Sequence, residues 1–181
     1  MSCLAWNCRG LGNLHTGREL GDIIRAKDPS VLFLAETLRD DARLEFVQRS
    51  IGFDHRWVVP RVGRSSGLVL YWKALVNLMV EDSDRHYIDA VINKNIENEW
   101  RLTGFYGEPN TARRHEAWTK LRAINSQPEC KPKPLRIFYN FFFKGYYQVS
   151  ILEHLVPQKK KIKKLKKKNK NLRTFRYIQL L

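Results

Sequence analysis

The sequence lacks the features that mark several common classes of protein. Its 181 residues contain three cysteines, Cys3, Cys8 and Cys130, and these cannot all pair within one chain. Cys3 and Cys8 have no Cys or His near them at zinc-finger spacing, which argues against a structural zinc site. No apolar run approaches the roughly 20 residues that a membrane span needs. No secretory leader is recognisable, so we expect reduced thiols in an intracellular compartment.

Acidic residues are scarce in the last third of the chain. The whole sequence has 33 Lys and Arg, 18 Asp and Glu, and a net charge of +15. Residues 126–181 hold 15 of the basic residues but only two acidic ones, so this segment carries +13 and residues 1–125 carry +2. A preference for a polyanionic partner would therefore come from the tail and not from the nearly neutral body.

The composition changes abruptly near residue 126. Three prolines occur in the nine residues of "SQPECKPKP" (126–134), and the stretches "IFYNFFFKGYY" and "KKKIKKLKKKNKNLR" that follow are low in complexity. A run of lysines repels itself, so we expect residues 126–181 to be a Lys-rich tail that is disordered or weakly helical. The chain is 43% apolar, and residues 1–125 have room for a single domain with a sizeable core.

The body opens with alternating strand and helix patterns. Strands are predicted in "CLAWNC" (3–8) and "VLFLAE" (31–36), because both are short apolar runs that end in polar or turn-forming residues. Apolar residues at helical spacing predict helices over 16–28 and 40–51, the second with acidic residues at its positive N-terminus. Strand, helix, strand, helix is typical of an α/β fold.

Five strands are predicted to follow one another directly after Gly52. Their segments are "FDHRWVVP", "SGLVLYWK", "ALVNLMVE", "RHYIDAVIN" and "EWRLTGFYG". They are rich in β-branched and aromatic residues, which predicts an antiparallel meander in the same domain. A further helix is predicted over 111–125. Because these helices cover only one side of a sheet, another layer has to cover the other side.

Four motifs give the body a resemblance to a known family. They are "LAWNCRGLGN", "VLFLAET", "SSGLVLYWK" and "RLTGFYGEPNTARRHEAW", in this order, and the resemblance that they carry covers roughly residues 2–125. The chain resembles the N-terminal half of an endonuclease/exonuclease/phosphatase domain of the deoxyribonuclease I-like type, and most closely the endonuclease module of plant non-LTR retrotransposons. The resemblance implies an α/β fold, a four-layer sandwich that is partial here. It also implies Mg²⁺-dependent hydrolysis of phosphodiester bonds in DNA, with Mn²⁺ as a substitute ion.

The resemblance also implies roles for individual residues. Glu36 matches the family's metal-binding glutamate, and Asn7 matches the asparagine that ends the first strand and helps to shape the metal and phosphate site. A glutamate at a strand end with an amide nearby is consistent with Mg²⁺, whose usual ligands are one or two carboxylates, water and phosphate oxygens. The sequence pattern alone favours non-functional interpretations of both residues. In these, Glu36 is a charged residue that ends a buried strand, and Asn7 is a turn residue. The family resemblance instead favours a functional role for both residues.

A later motif adds residues on the same grounds. Tyr106 and Asn110 match the catalytic tyrosine and the asparagine of the family's Tyr/Pro/Asn turn. Arg9 stands where the repair branch often has an acidic residue, which favours the retroelement branch. We expect Arg9, Arg113 and Arg114 to contact nucleic acid, although exposed arginines more often form a solvated face, and "YGEPN" alone is typical of a hairpin exit.

The remaining catalytic groups of the family have no match. The resemblance implies an Asp-x-Asn on a later strand and an Asp-His pair near the end of the domain, yet Asp89 is the last aspartate of the sequence. "FYN" (138–140) has the spacing of Asp-x-Asn without its carboxylate, and "EH" (153–154) belongs to a short amphipathic segment. His86 is interpreted as an exposed edge residue. We therefore expect a truncated, catalytically impaired endonuclease with an uncovered sheet face that favours self-association or a partner.

Two other functions stay open from the sequence. The first is a non-catalytic basic protein that binds nucleic acid, or is directed to the nucleus, through the lysines of 159–170. The second is a phosphatase that acts on phosphorylated lipids or inositols through the same half-site. The motifs "NCRGLG" and "GEPNTARRHEAW" favour this second function least.

Overall fold

A computed structural model of the chain describes residues 1–61, 67–108, 111–125, 135–140 and 149–153. Within these ranges the chain forms three α-helices and nine strands. The helices are α1 (Leu14–Lys27), α2 (Asp41–Ser50) and α3 (Arg114–Asn125), with a short 3-10 helix (Thr111–Arg113) before α3. The strands are β1 (Ser2–Asn7), β2 (Val31–Ala35), β3 (His55–Val59), β4 (Leu68–Trp72), β5 (Leu78–Asp84), β6 (Tyr87–Ile92), β7 (Trp100–Tyr106), β8 (Leu135–Asn140) and β9 (Val149–Glu153).

The first two helices begin at polar residues that cap them. The side chain of Asn13 accepts a hydrogen bond from the N–H of His15, and Asp40 accepts one from the N–H of Arg43. Such caps satisfy backbone N–H groups that have no partner inside the helix, so they fix where each helix starts. The three helices predicted from the sequence are confirmed. None of the described helices is long and apolar enough to span a membrane.

The strands form two sheets. The first has the order β3-β4-β2-β1-β9 and the second the order β5-β6-β7-β8. In the first sheet β1 and β2 run parallel and the other neighbours run antiparallel. In the second sheet β5, β6 and β7 form an antiparallel meander, and β8 adds parallel to β7.

The two sheets pack face to face between the helices. On β1, Cys3 and Ala5 belong to the core between the sheets. Leu4 and Trp6, which alternate with them, pack in the cluster that includes α1 and α2. The outer face of the second sheet is covered by α3, through Tyr87, Phe105, Ala117, Leu121 and Ile124. The result is the four-layer α/β arrangement that the resemblance implies.

One contact brings the two sheets close together. Gly104 of β7 lies against the ring of Phe33 of β2, and a Cβ on this glycine would lie 2.6 Å from Cε2 of Phe33. Any side chain at position 104 would therefore collide with the ring. Tyr106 ends the same strand two residues later, so this contact sets how closely the end of β7 approaches the first sheet.

A buried ion pair ties α3 to the second sheet. Nη2 of Arg101 lies 2.6 Å from Oδ2 of Asp89, and both residues are buried. The hydroxyl of Thr103 donates to Oδ1 of Asp89 at 2.7 Å, and Nη1 of Arg101 donates to the carbonyl of Ile124 at 3.1 Å. A buried charge that loses its partner is strongly destabilising, so the network resists any movement that would separate these groups. It therefore fixes the position of the last turn of α3 on β6 and β7.

The structure corrects two expectations about the strands. The five strands predicted after Gly52 do not form one meander, because the turn at 73–76 passes the chain from the first sheet to the second. The expected uncovered sheet face is also wrong. β5, β6 and β7 form the second sheet themselves, so the central strands are almost wholly buried on both faces in the described part of the chain. The described sheet faces therefore do not provide the surface for self-association that we expected.

Two described strands lie beyond the boundary predicted near residue 126. β8 extends the second sheet next to β7, and β9 extends the first sheet next to β1. The lysine run at 159–170 lies outside the described residues. The position of the boundary therefore stays a prediction.

Gly104→Ala should destabilise the protein, because the added methyl would enter the space of the Phe33 ring. Overpacking of this kind costs about 1–3 kcal/mol. Combined with Phe33→Leu, the double variant should lose less stability than the sum of the two single variants. Urea unfolding followed by circular dichroism measures all three.

Gly17→Ala on α1 serves as the control, since a Cβ there would meet nothing within 4 Å. Its stability should equal or exceed that of the wild type. If Gly104→Ala behaves like this control, the sheets do not meet at Gly104.

Candidate functional site

The candidate site lies at the carboxyl ends of β1 and β2. Parallel pairing places Asn7, the last residue of β1, opposite Ala35, the last residue of β2. Glu36 follows directly, and the N–H of Cys8 donates to the carbonyl of Ala35 at 3.0 Å. The carboxyl ends of neighbouring parallel strands open toward the same crevice, so the side chains of Asn7 and Glu36 reach a shared space.

The backbone turns sharply at Glu36. Its φ is +57°, in the left-handed region that residues other than glycine rarely adopt. The N–H of Gly10 donates to the carbonyl of Glu36 at 2.7 Å, and the N–H of Leu11 donates to the carbonyl of Thr37 at 3.0 Å. These bonds connect the loop after β1 to the turn after β2. Strain of this kind persists only where surrounding contacts enforce it, and it is common at functional sites.

Two side chains donate hydrogen bonds to the same oxygen of Glu36. Nδ2 of Asn7 lies 2.9 Å from Oε1, and the hydroxyl of Tyr106 lies 2.8 Å from it. Tyr106 comes from the second sheet, so this contact joins the two sheets at the site. Among the described residues, none donates a hydrogen bond to Oε2 of Glu36. The structure thus brings together Asn7, Glu36 and Tyr106, which the sequence motifs had named separately.

This donor set suits one hard divalent cation. The two hydrogen bonds to Oε1 orient the carboxylate and leave Oε2 as a ligand atom. Mg²⁺ usually takes one or two protein carboxylates and completes its shell with water and phosphate oxygens. The described ranges contain no group of three or more His, Cys, Asp or Glu that could hold a metal ion. Within the described residues, Glu36 is the carboxylate that Asn7 and Tyr106 orient at this site.

The thiol of Cys8 also connects the ends of the two strands. Its Sγ donates to the carbonyl of Ala35 at 3.2 Å, and the residue is 1% exposed. Burial raises the pKa of this thiol to about 12, so it stays protonated at neutral pH. Cys8 therefore acts as a structural donor that holds the end of β1 to the end of β2.

The other residues named from the sequence lie around the site or outside the described residues. Arg9, Arg113 and Arg114 are exposed, and no described hydrogen bond or ion pair joins them to Glu36. The N–H of Arg9 donates to Oδ1 of Asn7 at 3.2 Å. Asn110 falls outside the described residues. The roles assigned to all these residues stay predictions.

The structure shows that the interpretation of His86 as an exposed edge residue is wrong. His86 is 4% exposed and lies in the turn between β5 and β6. The polar sequence "EDSDRH" gives no sign of this burial, which arises because the turn packs against the end of β7. The N–H of Tyr106 donates to the carbonyl of His86 at 2.6 Å, so His86 is a direct neighbour of the site.

Sequence reasoning also missed Arg39. Its guanidinium lies over Gly12, where a Cβ would come within 2.6 Å of Nε of Arg39. This packs the loop after β2 onto the loop after β1, beside the two hydrogen bonds that already connect them. The glycine at position 12 of "RGLGN" was the available signal, since close approach of another chain segment is one reason for glycine in a loop.

A sequence profile places this site within a known family. The profile of the endonuclease/exonuclease/phosphatase family matches residues 4–153, which include Asn7, Glu36 and Tyr106 as well as β8 and β9. The chain belongs to the endonuclease/exonuclease/phosphatase family. It therefore carries a domain of the phosphodiesterase and nuclease type, and members of this family generally depend on a divalent metal ion.

Solved structures of low sequence identity share the fold. The 3' phosphatase NExo from Neisseria, bound to a product DNA hairpin, matches with a TM-score of 0.58 and 15% identity over 78% of this chain and 57% of its own. D. rerio TDP2 complexed with a single strand DNA product matches at 0.53 and 14%, over 77% and 58%. The endonuclease domain of TRAS1, a telomere-specific non-LTR retrotransposon, matches at 0.51 and 14%, over 76% and 58%.

The extent of these matches limits what they establish. This chain spans less than two thirds of the length of each of the three structures. Among curated protein sequences, none matches significantly. The structural likeness therefore establishes the fold of this family member, and its own activity is a matter for proposal.

Tyr106→Phe should remove one hydrogen bond to Glu36 while the ring keeps its packing. Hydrogen bonds to charged groups contribute about 1.5–3 kcal/mol, and partial exposure of Glu36 places the expected loss near the lower end. A double-mutant cycle with Glu36→Ala, measured by urea unfolding at pH 7, should show a coupling energy of about 1 kcal/mol.

The control cycle pairs Glu36→Ala with Tyr87→Phe, whose hydroxyl donates to Asp82. That coupling should stay within about 0.5 kcal/mol of zero, as for independent sites. Similar couplings in both cycles would mean that Tyr106 does not act on Glu36.

Proposed function

We propose that this chain binds a divalent metal ion at Glu36 and, through it, a phosphodiester of DNA, and that its catalysis is impaired so far that Glu36 no longer accelerates hydrolysis of this bond. The convergence of Asn7 and Tyr106 on Oε1 of Glu36 supports the proposal, because it orders one carboxylate at the mouth of a parallel strand pair. Mg²⁺ is the expected ion and Mn²⁺ its expected substitute.

Each of the three side chains has a proposed part in the chemistry. A bound metal ion would neutralise phosphate charge and make a bound water more acidic. Glu36 provides the acidic ligand, and Asn7 keeps its carboxylate oriented. Tyr106 donates its one hydroxyl proton to the same carboxylate, so it orients Glu36 from the second sheet. Asn110 keeps the role beside the phosphate that the resemblance implies.

The sequence of β8 supports the proposed impairment. β8 runs parallel to β7, with position 138 opposite Gly104 and position 140 opposite Tyr106. The resemblance implies an Asp-x-Asn on a strand that follows the Tyr/Pro/Asn turn, and this strand has Phe138 and Asn140 at that spacing. Phenylalanine neither accepts a proton nor binds a metal ion, so a carboxylate expected for the reaction is missing.

DNA is the proposed substrate class. Two proteins of similar fold, NExo and TDP2, were solved with product DNA. In this chain the exposed arginines Arg9, Arg113 and Arg114 would supply phosphate contacts. The motif resemblance also favours origin from a retroelement, and an intracellular, nuclear location fits a DNA substrate.

The folded body is proposed to extend beyond the boundary near residue 126. The family profile continues to residue 153, and β8 and β9 each pair with a strand of the body. In this proposal only the segment after Glu153 is a tail.

Metal binding and plasmid nicking test the two halves of the main proposal separately. The wild type should bind Mn²⁺ in titration calorimetry, Glu36→Ala should abolish binding, and Asn7→Ala should weaken it about tenfold, as the loss of a group that orients a ligand usually does. Glu97→Ala, at an exposed glutamate remote from the site in sequence, is the matched control.

With supercoiled plasmid and Mg²⁺, the wild type should nick no faster than Glu36→Ala. Nicking that exceeds that of Glu36→Ala would show a working active site and contradict the impairment. Equal Mn²⁺ binding by the wild type and Glu36→Ala would contradict the metal site itself.

The charge distribution favours a second candidate function, the binding of nucleic acid through the basic tail. Replacing the nine lysines of 159–170 by glutamine in the full chain should weaken binding to a DNA 20-mer and flatten its salt dependence. Fluorescence anisotropy across a sodium chloride series measures both. Unchanged affinity and slope in the glutamine variant would assign binding to the body and reject this candidate.

A further inference from the structure

The turn between β5 and β6 contacts the strand that carries Tyr106. In the pairing of β6 with β7, Tyr87 lies opposite Phe105, so the next pair along is His86 and Tyr106. The N–H of Tyr106 donates to the carbonyl of His86 at 2.6 Å. A displacement of this turn would therefore be transmitted to the tyrosine whose hydroxyl contacts Glu36.

Several contacts hold His86 in place. Its N–H donates to Oδ1 of Asp84 at 2.7 Å, and Asp84 forms an ion pair with Lys120 of α3. Its Nε2 accepts a hydrogen bond from Nε of Arg85 at 2.9 Å. An imidazole nitrogen that accepts has no proton, so the ring of His86 is neutral in this arrangement.

A carboxylate lies close to the same nitrogen. Oε2 of Glu108, two residues after Tyr106, lies 3.9 Å from Nε2 of His86, and the two side chains are 12% and 5% exposed. Nε2 therefore faces both a guanidinium and a carboxylate. Protonation of the ring would end the hydrogen bond from Arg85 and favour Glu108.

Burial sets the pH at which this exchange occurs. Removal from water lowers the pKa of His86 below its ordinary value of 6.5, and Arg85 and Lys120 act in the same direction. Asp84 and Glu108 oppose them. The neutral ring is therefore the form at pH 7. Its contribution to stability is full above pH 6.5 and is lost as the pH falls through the lowered pKa of the folded protein.

We propose that His86 is a positioning residue for the Glu36 site. Its carbonyl and its neutral imidazole hold the end of β7 so that the Tyr106 hydroxyl stays on Glu36. Protonation transfers Nε2 from Arg85 to Glu108, shifts the end of β7 and withdraws the hydroxyl. Weaker metal binding at acid pH would follow, and only this consequence rests on the proposed function.

Carbon-13 NMR of labelled tyrosine side chains in the full chain tests the proposal directly. The Tyr106 resonance, assigned by its absence in Tyr106→Phe, should move between pH 7.5 and pH 5 with a midpoint below 6.5 in the wild type. His86→Gln keeps an acceptor for Arg85 but cannot be protonated, so this movement should vanish. His55→Gln, at an exposed histidine on β3, should retain it.

Glu108→Gln provides a second variant that leaves His86 intact. It removes the carboxylate that attracts the protonated ring, so the Tyr106 resonance should move by less than half its wild-type amount. A Tyr106 resonance that titrates alike in the wild type and both variants, or that titrates in none of the three, would overturn the positioning role.

Mn²⁺ affinity separates this proposal from the proposed function. Between pH 7.5 and pH 5.5, the Mn²⁺ affinity of the wild type should fall about threefold more than the affinity of His86→Gln. If Mn²⁺ does not bind at Glu36 at any pH, the proposed function fails and the Tyr106 resonance still decides the role of His86. An equal fall in affinity in the two proteins, with binding intact, would overturn the link from His86 to the metal site.

Discussion

The parallel hydrogen bonding between β1 and β2 is the constraint from which the site follows. It brings Asn7 level with Ala35, so the amide of Asn7 meets the carboxylate of Glu36 as soon as β2 ends. Two further backbone bonds, to the carbonyls of Glu36 and Thr37, then hold the loop after β1 against the turn after β2. The left-handed backbone at Glu36 is the conformational cost of this arrangement, and the surrounding contacts maintain it. A carboxylate on a free loop would have no such fixed direction.

The second sheet adds the third member of the site, and its position is set inside the protein. Gly104 lets β7 approach Phe33, and two residues later the hydroxyl of Tyr106 reaches Oε1 of Glu36. On the other side of β7, the ion pair of Asp89 and Arg101 and the bond from Arg101 to Ile124 hold α3 against the sheet. The geometry at Glu36 therefore depends on packing and buried charges that lie well away from it. This explains how a turn such as that of His86 gains influence over the site.

The sequence predicted the parts of this arrangement that are local. Strand ends are visible as changes from apolar to polar residues, as after β1 and β2, but the family resemblance is what selected Asn7, Glu36 and Tyr106. The division of the strands between two sheets was not predictable, because an alternating pattern is the same in either sheet. The burial of His86 was hidden for a related reason. Its neighbours in sequence are polar, and it is the pairing of β6 with β7 that places it beside Tyr106 and Glu108.

The intact contacts at Glu36 do not by themselves imply turnover. Tyr106 is buried in the core between the sheets, and Asn7 ends a central strand. Their loss would reduce stability whether or not the reaction occurs, so both would be retained in an impaired enzyme. A carboxylate that takes part only in the reaction does not also stabilise the fold. Position 138 on β8 is where the resemblance implies such a group, and a phenylalanine there lacks the carboxylate while the strand keeps its place in the sheet. The fold and the oriented glutamate therefore identify the family, while position 138 is where the proposed impairment has its basis.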